Sequence, residues 1–151
     1  MWSKKSRLTI FILAVLVLYL ATIRGTFGNF HEPAEIKTLK KIGGALQGSH
    51  TSSTYILMLS ILKNGTVSIP KEYADLAFPD VGYLNGSFYS LFPPGMAVSM
   101  IPFYRFGSIF NLGQVMSFAA TSLFSLGTML ALWRICRDIF SFSDISSLLA
   151  I

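Results

Sequence analysis

Residues Tyr83–Tyr104, YLNGSFYSLFPPGMAVSMIPFY, place a turn signal, two tyrosines and a double proline directly before an apolar run. Asn85-Gly86 sits between Tyr83-Leu84 and Phe88-Tyr89. This is the strongest short hairpin signal, because a type I′ turn needs positive φ at both central residues. Pro93 and Pro94 suit a first helical turn, where a missing N–H costs nothing. Pro102, inside the run, predicts a kink. Tyr83, Phe88, Tyr89 and Phe92 are residue types that collect at a membrane–water boundary. The stretch therefore reads as an outer loop that a hairpin turns back into a bilayer.

The bulk composition agrees. Of 151 residues, 13% are charged and 52% hydrophobic, and the mean hydropathy is +0.58, whereas an ordinary soluble domain carries about 25% charge. The net charge of +5 does not indicate nucleic acid, since no Lys/Arg cluster alternates with stacking aromatics. The single cysteine, Cys136, allows neither an internal disulfide nor a cysteine metal site and reads as a small apolar residue near a helix end.

The expected fold class is an all-α integral membrane protein with about three transmembrane helices and the start of a fourth. Its long extracytoplasmic loop contains short interfacial helices and a hairpin turn. The expected boundaries are a cytoplasmic tail at 1–7, a first span at 8–27, the loop at 28–90, a second span at 91–110, a third at 114–133 and the start of a fourth at 143–151. Leu8–Ile23 is an uncharged run that falls slightly short of the roughly 20 residues a crossing needs, so the span is extended to Phe27 with Arg24 snorkelling. A cleaved signal peptide has the same outline, but no clean small-x-small site appears around Ala21–Gly28. Gln114–Trp133 is the clearest span, and Asn111-Leu-Gly113 gives a tight reversal before it. Lys4, Lys5 and Arg7 predict a cytoplasmic N-terminus. Three crossings then place Arg134 and Arg137 outside, against the same rule. Either the N-terminal charges dominate, which is the reading adopted, or the proline-bearing second run does not cross.

Within the loop, Pro33 opens a short helix that Gly43-Gly44 ends at Ile42. Lys37, Lys40 and Lys41 fall on one side of it, which suits an anionic lipid surface or a lipid-phosphate site. Ser52-Ser-Thr54 offers N-caps for YILMLSILKNG, with Asn64-Gly65 as its C-cap. At eleven residues this helix is too short to span and belongs to the interface or the loop core. Val67 and Ile69 alternate in strand fashion up to Pro70. Asn64-Gly-Thr66 and Asn85-Gly-Ser87 are also N-glycosylation sequons, though each reads first as a turn. His31-Glu32-x-x-Glu35 lacks the second histidine of HExxH and reads first as a solvated helix start. No metal site is assigned, and a divalent cation is the only cofactor left open.

The stretches STYILMLSILKNGTVSIP and YLNGSFYSLFPPGMAVSMIPFY, behind a basic start and one apolar run, resemble the N-terminal region of GT-C superfamily glycosyltransferases. The similarity is closest to the protein-mannosyltransferase and aminoarabinose-transferase type, over about residues 8–135. What the resemblance implies is an inverting, multispanning transferase that takes sugar from a polyprenyl-phosphate donor, with an outer loop that carries a catalytic acid. In that family an Asp commonly precedes the helix matched by Tyr55–Lys63, where this sequence has His50-Thr-Ser-Ser-Thr54. The remaining acids near the outer face are Glu32 first, then Glu35 and Asp80, and Lys37, Lys40 and Lys41 are the lipid-phosphate-binding candidates. The expected partners are membrane lipid and the polyprenyl-phosphate sugar donor. The alternative is a non-catalytic small membrane subunit, or a degenerate relative, that packs against a partner membrane protein.

Overall fold

A computed structural model describes residues 4–23, 25–41 and 44–140. The chain divides into two units, one of Arg24–Phe118 and one of Met1–Ile23 with Ala119–Ile151.

In Arg24–Phe118, helix α2 covers Pro33–Leu39, α3 Ser49–Asn64, α4 Lys71–Ala77 and α5 Gly95–Ser108. Strands β1 (Ser68–Ile69), β2 (Val81–Leu84) and β3 (Ser87–Ser90) form one antiparallel sheet in the order β1-β3-β2. The central element is α3, in which every residue from Ser52 to Ser60 is buried. A helix enclosed all round has no polar stripe to spare, and its serines hide their hydroxyls accordingly. Ser52 Oγ donates to the carbonyls of Ser49 and Leu76, and Ser53 Oγ to that of Asp80. The helix stops at Gly65, whose φ of 65° is left-handed and whose N–H closes onto the Ile61 carbonyl. Around α3 pack α4, α5, β1 and β3.

The hairpin forms as the dipeptide predicts. Asn85 and Gly86 have φ of 49° and 83°, and Tyr83 faces Phe88 across the ladder with ring centroids 4.9 Å apart. Helix α2 starts at Pro33 and ends at Leu39, capped by Lys40, so it is shorter than the expected run to Ile42, which lies outside the described residues.

The second unit contains α1 (Lys4–Thr22) and the Ala119–Asp138 part of α6, a helix of 26 residues that begins at Gly113. Large apolar side chains point outward along both helices, among them Leu13, Val17, Leu123 and Phe124.

The expectation of three spans and the start of a fourth in an all-α protein is corrected by these elements. Among the described residues there are six helices and a three-stranded sheet, and α6 alone is long and apolar enough to cross a membrane. The expected second span, 91–110, fails on length and on packing. Pro93-Pro94 hold the helix start back to Gly95 and the helix ends at Ser108. Its 14 residues extend about 21 Å at 1.5 Å each, against a hydrocarbon core of about 30 Å. One side of it, carrying Ala97, Met100, Tyr104 and Gly107, is buried in the unit with α3. Helix α1 stops at Thr22 rather than reaching Phe27, and its described apolar stretch is Thr9–Tyr19. The proposed fourth start, 143–151, lies outside the described residues.

Candidate functional site

The structure brings Glu32 and Glu35 together at the start of α2, with His31, Lys63 and Tyr73. Glu32 takes the N-cap position. The Glu35 Oε2 atom accepts the backbone N–H of His31 at 3.0 Å and that of Glu32 at 3.1 Å, the carboxylate half of a capping box. Those donors, Glu32's first and His31's second, hold the Glu35 carboxyl below its ordinary value of 4.5. Glu32 Oε1 lies 3.5 Å from Lys63 Nζ and 3.6 Å from His31 Nε2.

The backbone of this segment is gripped from three sides. Tyr55 donates its hydroxyl to the Phe30 carbonyl at 2.7 Å, and Tyr73 does the same to His31 at 2.7 Å. Lys63 Nζ adds a bond to the His31 carbonyl at 3.2 Å. Burial drives the Tyr55 hydroxyl far above its usual titration range, with Tyr104 adding to the shift, so it stays a donor. The cluster is thus a clamp that fixes residues 30–35 onto α3 and α4. A base needs a lone pair aimed at its substrate, and Glu35 spends Oε2 on its own helix start.

The three lysines differ in surroundings. Lys40 is half-buried and donates to the Leu76 carbonyl in α4, while Lys37 and Lys41 are exposed.

Asp80 lies elsewhere, between α4 and β2. Its backbone is engaged, since its carbonyl accepts Leu91 N–H at 3.0 Å and Ser53 Oγ at 3.2 Å. Ser53 Oγ is also 3.0 Å from Ser90 Oγ. The Asp80 side-chain atom Oδ2 is enclosed and has no hydrogen-bond partner in the chain. Buried polar atoms are nearly always paired, so this oxygen is left for something outside the described bonds to satisfy. His50, at the position where an acid is expected, instead sets its ring edge-on to Phe92 with centroids 3.9 Å apart.

An open cleft of about 480 Å³ lies beside the hairpin, lined by Ser68, Lys71, Tyr83, Ser87 and Phe88 among others, and none of the three acids lines it. Among the described residues no three His, Cys, Asp or Glu converge as metal ligands. Sequence reasoning missed Lys63, Tyr73, Ser53 and Ser90. None of them carried a readable signal, and even the stripe of Tyr73, Ala74 and Ala77 is confined to the seven residues of KEYADLA.

No family model matches the chain, and no curated protein or solved structure is similar to it.

Proposed function

We propose that this chain is the N-terminal part of a membrane-held, glycosyltransferase-like protein that uses a polyprenyl-phosphate sugar donor. Residues 28–90 are assigned to the extracytoplasmic side and the N-terminus to the cytoplasm, an arrangement that needs α1 to cross with its flanking residues, since its described apolar stretch, Thr9–Tyr19, is shorter than a span. One observation carries the reading. The two stretches behind the glycosyltransferase resemblance fold onto each other as a single unit. Tyr55 of the first lies 6.3 Å, centroid to centroid, from Tyr104 of the second, and β1 pairs with β3 through Ser68 and Tyr89.

On this reading Asp80 is favoured over Glu32 and Glu35, because its Oδ2 is enclosed without a hydrogen-bond partner in the chain. Once an opening of the unit admits an acceptor hydroxyl to the enclosed Oδ2, the carboxylate takes its proton as that oxygen bonds to the anomeric carbon. The bond from that carbon to the lipid phosphate breaks on the opposite face, and the phosphate leaves with the electron pair. Configuration inverts.

The test is transfer from a labelled polyprenyl-phosphate sugar by the full-length protein in membrane vesicles. Asp80→Asn should lower the rate by about 10²–10⁴-fold, the usual contribution of a general base, while Glu32→Gln and Glu35→Gln retain it. Full activity in Asp80→Asn would falsify the assignment of the base. Failure of the native protein to bind the donor would remove the transferase reading itself.

The second reading, a non-catalytic subunit, is favoured by the internal commitment of Glu32, Glu35 and Lys40. It predicts a stable complex with another membrane protein and no photocrosslinking to the donor.

A further inference from the structure

We infer that α5 is a lipid-surface helix whose outward side rests on the extracytoplasmic face of the bilayer. The inference rests on the membrane reading above and names the lipid contact of the same unit. Positions Ala97, Met100, Tyr104 and Gly107 are buried and define one side of α5. The opposite side carries Val98, Pro102, Phe106 and Ile109, spaced four, four and three residues apart. Val98 is 50% exposed, Phe106 57% and Ile109 75%. A helix that met water there would carry charge and polar groups, yet the one ion on this flank is Arg105, which is exposed. Apolar residues that reach the acyl boundary beside a cation at phosphate level are the pattern of an in-plane interfacial helix.

The chain itself says what covers this side. Ile109–Leu112 are the only residues between α5 and α6, and they make a tight turn with Asn111 at φ 57°. The Leu112 N–H returns to the Gly107 carbonyl at 2.8 Å. Helix α6 leaves the folded unit after Phe118, and if it enters the bilayer there, its first turns and the neighbouring Phe106, Ile109 and Phe110 lie at headgroup depth. The helix is also too short to cross. With α5 on the surface, α6 is the single crossing between Asn85 and Arg134, and Arg134 and Arg137 fall on the cytoplasmic side. The charge conflict of a three-span arrangement disappears.

The experiment uses the full chain in a Cys136→Ser background, reconstituted into phosphatidylcholine–phosphatidylglycerol vesicles. Single cysteines replace Asn85, Met96, Val98, Phe106, Ile109, Leu123 or Ile139, all exposed positions. Each is tested with an impermeant maleimide for sidedness and with an environment-sensitive fluorophore for lipid contact. Met96 and Ile109 should share the side of Asn85, opposite Ile139. Labels at Val98, Phe106 and Ile109 should shift to the blue and be quenched by lipids brominated near the headgroup, whereas the Asn85 label does neither. Met96 and Ile109 on opposite sides would mean that α5 crosses, and the inference falls. Labels on α5 that ignore lipid while Leu123 senses it would show that protein covers this side; disulfide formation between two Ile109→Cys chains would identify a second copy, and its absence a different partner. Lipid insensitivity at Leu123 as well would instead overturn the membrane reading.

Discussion

Helices α3 and α6 are both rich in apolar residues, and their surroundings are opposite. Nine consecutive residues of α3 are buried, whereas an 18-residue apolar window of α6 is only 17% buried. Hydropathy alone does not separate them. What separates them is who supplies the neighbours. Strands, α4 and α5 enclose α3, while α6 presents Leu123, Phe124, Leu132 and Ile135 outward, a surface that lipid would satisfy and water would not. The polar residues follow the same division. In α3 the serine hydroxyls bridge to other elements, through Leu76 and Asp80. In α6 Ser125 and Thr128 fold back onto the carbonyls of Thr121 and Phe124.

The largest test of this contrast is truncation. Met58→Ala in α3 should destabilise the Arg24–Phe118 unit by about 2–5 kcal/mol, the range for emptying a packed site. Leu123→Ala, at a position 45% exposed, should change it by no more than about 0.5 kcal/mol. Denaturant titration in detergent micelles, followed by hydrogen exchange of α3 amides, measures both. Equal effects would break the comparison.

Next comes the start of α6, where the helix still belongs to the folded unit. Gln114 is fully buried and its Oε1 accepts the Thr26 N–H. Gln114→Ala strands that donor and should cost about 1–3 kcal/mol, read in the same titration. A neutral result would show that the donor finds water.

A smaller effect is expected at the hairpin. A methyl on Gly86 meets nothing within 4 Å, but φ is 83°, so Gly86→Ala should cost only the left-handed penalty of about 1–2 kcal/mol. Gly65→Ala, with φ 65° and equal space, should match it. A clearly larger loss at either position would mean that the methyl meets something.

The smallest effect belongs to the acid clamp. Because the folded state holds the Glu35 carboxyl below its ordinary value of 4.5, its contribution is present above that pH. It is lost as pH falls through the lowered folded value. In Glu35→Gln that part of the acid dependence should vanish. Glu32→Gln weakens exposed pairs with Lys63 and His31 and should cost under about 1 kcal/mol. Stability curves between neutral and acid pH distinguish the two, and an unchanged acid limb in Glu35→Gln would remove the clamp's role.

Local signals were legible and environments were not. Asn85-Gly86, Gly65 and Pro33 act through their own backbone preferences, and each did in the fold what it does in isolation. Ser52-Ser-Thr54 looked like caps because free hydroxyls seek helix ends. Here Gly48 takes the N-cap, and the serines reach groups that approach only once the unit has folded. The run 91–110 looked like a span because hydropathy cannot register that α3 already occupies one side of it. Helix α4 went unread, since its seven residues between Pro70 and Pro79 carry too short a pattern. The acids were legible as residues but not in their roles. The bonds that tie Glu35 to its own helix start are local, while Asp80 is held through its backbone carbonyl by Ser53 and Leu91, which reach it only once the unit has folded.

The Asn29 side chain donates to the Ser108 carbonyl at 2.9 Å and accepts the Gly113 N–H at 3.0 Å. Beside it the Gln114 N–H meets the Gly28 carbonyl at 3.1 Å. A side chain at residue 113 would push its Cβ to 2.7 Å from that Asn29 oxygen, so glycine is required for the fastening. Its consequence concerns synthesis. A ribosome making this chain must release residues 28–112 before the buckle has a second half, so the unit stays unfastened until the start of α6 is out. The same arrangement makes the enclosed stretch tolerant of growth. Doubling the length between the two halves would cost only about 0.6 kcal/mol in closure entropy, so a lineage could enlarge this head by insertion at the Asn85-Gly86 tip without undoing what fastens it.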